Sequence, residues 1–152
     1  MSRALAGAAC VLLAAAAGCS SNEPPAATDH TPDAAGLSAC RQVFAALPTT
    51  VGGATGLLNQ AGRVAYWGDG EHRVVLRCGI ERPAGLEASS RCDVVNGVGW
   101  WAEKTEAGYR FTTIGRAAFL QVEVPSAHAP EADVLNELSG AVSQDPVVTP
   151  CS

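Results

Sequence analysis

Apolar residues recur at helical spacing over residues 38–47, where Cys40, Val43, Phe44 and Leu47 fall at i, i+3, i+4 and i+7. Ser38 is the expected N-cap and Pro48 the stop. Residues 49–62 are rich in Thr and Gly and read as a loop, with a turn of helix around Leu57-Leu58. Arg63 to Trp67 reads as a short strand. Gly68-Asp69-Gly70 follows as a turn, and the β-branched, apolar run from Arg73 to Cys78 as a central strand. Pro83 to Ser90 reads as a connecting loop. Cys92 to Val95 then leads into Asn96-Gly97, a strong hairpin signal, and Val98 to Glu103 returns. A polar turn over 104–108 precedes Tyr109 to Ile114, in which Tyr109, Phe111 and Thr113 share one side. Ala118 to Val124 is the last strand expected, stopped by Pro125.

Pro130, followed by Glu131 and Asp133, reads as a helix start, since the helix dipole favours anions in the first turn. Val134, Leu135, Leu138 and Val142 supply its apolar stripe. The tail from Asp145 onward is expected to be pinned by Cys151 alone. The order helix, strands, helix predicts an α+β fold: an antiparallel β-meander sheet with an N-terminal and a C-terminal helix packed on one face.

The start of the chain has a different pattern. Arg3 is followed by a nearly unbroken Ala, Leu, Val and Gly run to Ala17, shorter than the roughly 20 residues a spanning helix needs. Ala16-Ala17-Gly18-Cys19 resembles the lipobox of bacterial lipoproteins, with Ala16 where leucine is commoner. The resemblance implies cleavage before Cys19 and acylation of that cysteine, with palmitate among the expected acyl groups. Residues 1–18 are then a signal peptide, 19–36 a lipidated, disordered tether rich in Pro, Ala and Asp, and 37–152 a single α+β domain. The expected location is the extracytoplasmic face of the cell membrane.

Composition narrows the partners. Lys and Arg number 10 against 15 Asp and Glu, a formal charge of −5, and loss of Arg3 with the leader makes it more negative. A nucleic-acid surface is not expected. Six cysteines are present. With Cys10 in the leader and Cys19 acylated, Cys40, Cys78, Cys92 and Cys151 form an even set in an oxidising compartment. Three pairings are open. The expected one joins Cys78 to Cys92 across a short loop and Cys40 to Cys151. The spacing lacks a CxxC pair, so no zinc site or other metal is expected.

The body's motifs resemble a family of actinobacterial proteins of unknown function, DUF3515. The resemblance is carried by CRQVFAALP from Cys40, Ala65 to Gly68, Val75 to Gly79, Arg82-Pro83, Val95 to Val98 with Trp100, and Phe111 to Arg116. Val122 to Pro125 and Leu138-Ser139 extend it across nearly the whole body. It implies an envelope protein of Gram-positive bacteria and brings no activity, cofactor or catalytic residue.

Few residues invite chemistry. Gly97 to Ala102 satisfies GxGxxA formally, but two tryptophans fill the loop and the context is a hairpin rather than a strand-to-helix turn. His30, His72 and His128 all read as loop residues. Asp69 and Glu71 beside His72 could meet a cation, although the calcium-loop pattern is missing. Arg77 and Arg116 read as structural anchors for carbonyls or carboxylates. Trp100 and Trp101 must face opposite sides of their strand. One of them, with Tyr109 or Tyr66, is then either free for a protein or cell-wall partner or covered by a loop. The expectation is a membrane-anchored, non-enzymatic binding module of the envelope. The alternatives are an enzyme acting on envelope lipid or glycan, recognised by a cleft of convergent ionisable groups, and a small-ligand carrier, recognised by an apolar cavity.

Overall fold

The computed structural model describes residues 23–151, so Cys19 and the leader lie outside the described residues. Among these residues the chain forms an eight-stranded antiparallel sheet and two α-helices, α1 (Ala34–Ala46) and α2 (Ala132–Val142). The strands are β1 (Thr50–Val51), β2 (Ala54–Asn59), β3 (Val64–Trp67), β4 (Val74–Cys78), β5 (Asp93–Val95), β6 (Val98–Lys104), β7 (Gly108–Thr113) and β8 (Leu120–Pro125). Their order in the sheet is β1-β2-β3-β4-β8-β7-β6-β5. The α+β class holds, as does the antiparallel sheet. The single meander becomes two meanders of four strands, joined where β4 pairs with β8.

Alternation decides the faces. Val74, Leu76 and Cys78 on β4, Leu120, Val122 and Val124 on β8, and Trp100 on β6 share one core. Into the same core α1 places Ala39, Cys40, Val43 and Phe44, and α2 places Val134, Leu135 and Leu138. Both helices therefore cover this inner face. Helix α2 contacts both outermost strands, β1 and β5, so the sheet curves around it. Trp67 anchors the end of α1, its indole N–H donating to the Pro48 carbonyl at 3.1 Å.

Helix α1 starts earlier than its apolar stripe suggests. Asp33, not Ser38, is the N-cap, and its carboxylate accepts from the Gly36 amide at 2.8 Å. Residues 34–36, expected in the tether, are thus the first turn of the helix. Residues 23–33 form a strap bonded to the body. The Thr28 amide donates to the Gly62 carbonyl at 3.1 Å, and His30 Nδ1 lies 3.1 Å from the Gly79 carbonyl oxygen. Arg73 Nη1 donates to the Glu23 carbonyl at 2.6 Å.

The expected loop over 49–62 contains the β1–β2 hairpin. Gly52 and Gly53 both adopt positive φ, 57° and 77°, which suits a two-residue turn of the kind that matches strand twist. Strand β2 escaped notice because it is largely exposed and lacks apolar alternation.

The expected disulfide pairing is wrong. Cys40 pairs with Cys78, and Cys92 with Cys151, at Cα separations of 5.7 and 6.1 Å. The reason is topological. Strands β8, β7 and β6 lie between β4 and β5, which puts Cys78 four strand spacings from the start of β5, roughly 19 Å. A disulfide needs Cα atoms within about 7 Å. Cys78 instead faces the buried side of α1, where Cys40 sits. Gly99 makes room for the second bridge, since a Cβ there would run into the sulfurs of both Cys151 and Cys92.

Non-reducing tryptic mapping is expected to recover the Cys40 peptide linked to the Cys78 peptide and the Cys92 peptide linked to the carboxyl-terminal one. A Cys78–Cys92 linked species would refute this connectivity. Removing Cys40–Cys78 as a double Ala variant is expected to lower unfolding free energy by about 4 kcal/mol in the chain-entropy model, read from urea denaturation.

Candidate functional site: a groove beside the first disulfide

Between α1 and the β2–β3 turn lies an open groove of about 410 Å³. Leu37, Phe44 and Ala45 of α1 and Ala61 of the turn give it apolar walls, and Arg41 and Arg63 also line it. The i, i+4, i+7 and i+8 positions of Leu37, Arg41, Phe44 and Ala45 line one flank of the helix beside its buried stripe. Cys40 also lines the groove, so the disulfide to Cys78 fixes α1 over β4 at this point.

The two arginines differ in role. Arg63 sits in the turn with φ of 51°, a left-handed conformation. Its Nε donates to the Cys78 carbonyl and its Nη2 to the Thr28 carbonyl, both at 3.2 Å, with a further short bond to His30. It is committed to holding the strap. Arg41 is exposed and forms no ion pair among the described residues. The arrangement offers an apolar trough with one available cation, suited to an apolar group that carries a negative end.

The residues singled out in the sequence are placed elsewhere. Trp100 is 0% exposed and packs edge-on to Phe111, so it presents no surface to a partner. Trp101 points to the opposite, outer face and is half-buried against Gly85 of the 80–91 loop. Tyr109 stacks on Phe111, ring centroids 5.9 Å apart. By strand alternation Tyr109 and Phe111 belong to the inner face, so Tyr109 and Trp101 do not form one patch. The Asp69, Glu71 and His72 turn gathers no group of three metal-ligating side chains among the described residues. His128 bridges loops, with Nε2 2.7 Å from the His72 carbonyl oxygen and its ring against Gly52.

Both arginine anchors take the roles expected of them. Arg77 pairs with Glu123 at 3.1 Å on the outer face, and Arg110 approaches the same carboxylate at 3.5 Å. Arg116 donates to the carbonyls of Asp145, Val142 and Gly97. It ties the end of α2 to the β7–β8 connection.

Asp145 completes this latch. Its carboxylate accepts from the amides of Ala117 at 3.1 Å and Ala118 at 3.2 and 3.3 Å. The tail beyond it is held by more than Cys151. Val148 and Thr149 donate to the Gly115 carbonyl, and Arg116 and Val147 form a β-bridge. Burial pushes the Asp145 carboxyl from 3.8 up to about 6, against the opposing pull of the Ala118 amide, Arg116 and the Ala117 amide. The sequence signal is Asp-Pro three residues past the end of a helix, too common a pattern to distinguish a buried acid from a turn.

Residues 3–149 match the model of a family described as protein of unknown function, DUF3515. The chain belongs to the DUF3515 family. No curated protein and no solved structure matches it. The match covers the whole latch, the groove and the strap of this DUF3515 protein, together with most of its apolar amino-terminal run.

The raised Asp145 pKa sets a pH dependence. The folded state holds the proton more tightly than the unfolded chain, so this group's contribution to stability is full below about pH 4 and is lost as pH rises through about 6. Asp145→Asn is expected to be less stable overall yet to lack this decline. Urea denaturation of both proteins from pH 4 to 7 checks it, and parallel profiles would contradict it.

Proposed function

We propose that this DUF3515 protein is an exported lipoprotein, held on the outer face of the cell membrane by acylated Cys19, that binds an envelope partner without transforming it. The observation that carries the reading is cysteine usage. All four cysteines of the body stand in two disulfides, which persist in exported proteins and are rare in the cytosol. A further cysteine, Cys19, follows an apolar leader and small residues, which is the arrangement that lipid attachment requires.

The binding role rests on the groove. It is open and mostly apolar, with Arg41 at hand for a carboxylate or phosphate. The charged groups near it that could do proton chemistry are otherwise engaged. His30 meets the Gly79 carbonyl, and Arg63 meets three backbone carbonyls. An apolar segment or acyl-bearing component of the envelope, with an acidic end, fits this chemistry.

Two measurements test the reading. Cells fed an alkynyl fatty acid are expected to label the wild-type protein and not Cys19→Ala, which should also leave the membrane fraction. Labelling that survives Cys19→Ala ends the lipoprotein claim. Ala45→Trp fills the groove from an exposed helix position and is expected to cut recovery of envelope components in affinity capture at least tenfold, with unfolding unchanged. Equal recovery from the two proteins would exclude the groove as the binding site.

A further inference from the structure

The strap places the point where the chain leaves the body. Arg73 Nη1 holds the Glu23 carbonyl at 2.6 Å, and the same guanidinium lies 5.1 Å from the centre of the Tyr66 ring. Tyr66 pairs with Leu57 across β2 and β3, on the outer face of the sheet. Leu57 is 61% exposed, beside the exit of the chain. Cys19 precedes Glu23 by four residues, a span of at most about 14 Å. The strap cannot release more chain without breaking its bonds at Thr28, His30 and Arg63.

We infer that the domain lies directly against the lipid bilayer through the β2–β3 side of its outer sheet face, with Leu57 in contact with lipid. This rests on acylation of Cys19 as proposed above. The occupant is a lipid surface because the anchor and the exposed leucine are joined by a short, bonded path. A freely disordered tether from Cys19 to Gly36 would let the body tumble. Docking of residues 23–33 removes that freedom and selects one orientation. The far edge of the same outer face gives an internal comparison. Val94 on β5 is also 61% exposed, and six strand spacings, roughly 30 Å along the sheet, separate β5 from β2.

The test uses the full, acylated chain reconstituted into phosphatidylcholine vesicles whose acyl chains carry bromine at carbons 6 and 7, which quenches tryptophan on contact. Leu57→Trp and Val94→Trp are each compared with the wild type, whose own tryptophans give the background. The added tryptophan at 57 is expected to lose more than half its emission and that at 94 to keep nearly all of it. Insertion of twenty Gly and Ser residues between Asn22 and Glu23 is expected to halve the quenching at 57 or better. Protein that floats with the vesicles but shows equal or no quenching at the two positions overturns the orientation while leaving the anchor standing. Unchanged quenching after the insertion also overturns it, because the short tether is then not its cause. Failure to float overturns the anchor itself and the orientation with it.

Discussion

Strand β4 meets β8 over four residue pairs, from Val75 against Glu123 to Cys78 against Leu120, and the two halves of the molecule are joined along this seam. On the inner side Leu76 and Val122 face each other with no exposure. On the outer side Arg77 and Glu123 pair diagonally across it. Without it each meander would end in an open edge of apolar, β-branched residues, the kind of strand that pairs with other chains. The amides of Gly79 and Ile80 extend the seam by donating to the Phe119 carbonyl. Contacts between α1 and α2 close the same joint from above.

The covalent links do not cross that joint. Cys40–Cys78 ties α1 to β4 within the first half, and Cys92–Cys151 ties the start of β5 to the tail within the second. Each half is stapled to itself, and the halves associate through burial and backbone pairing. The pairing expected from the sequence would have put both bridges across the seam. The Asp145–Arg116 latch follows the same logic as the real bridges, since it binds the end of α2 to the β7–β8 connection inside the second half. Glu137, which accepts from the Gly52 amide at 3.0 Å, and His128, which meets His72, are polar contacts that reach between halves.

What could be read in the sequence follows from how strongly each segment is patterned. β3, β4 and the β5–β8 run have clear alternation or an Asn-Gly turn, and they fold as expected. α2 has a clean apolar stripe, and it too is where the pattern puts it. β2 is hard to read because a largely exposed strand has no buried face to impose alternation. The start of α1 was hidden because its first turn is Ala-Ala-Gly, which marks neither helix nor tether, and only the Asp33 cap decides it. Connectivity of the cysteines depends on strand order, and strand order is a long-range property that local spacing does not encode. The groove was illegible for the same reason. Arg41 and Arg63 are twenty-two positions apart and come to line one groove only when α1 lies over the β2–β3 turn.

If the domain is held against a membrane as proposed, the arginines explain why the contact would come from lipid and leucine rather than from charge. Arg63, Arg73, Arg82 and Arg116 donate to backbone carbonyls, and Arg77 and Arg110 share one carboxylate. The chain has 10 basic residues against 15 acidic ones, and four of those cations hold backbone while two more share a carboxylate. The surface is left acidic, and an anionic bilayer repels it. A long flexible tether would allow the body to retreat from that repulsion. Of the chain between Cys19 and α1, eleven residues are instead bonded down as a strap. On the anchored reading, that strap works against the charge of its own domain. It holds an acidic body within a few residues of the lipid, and the guanidiniums of Arg63 and Arg73, taken from the surface to bind the strap, are what make this possible.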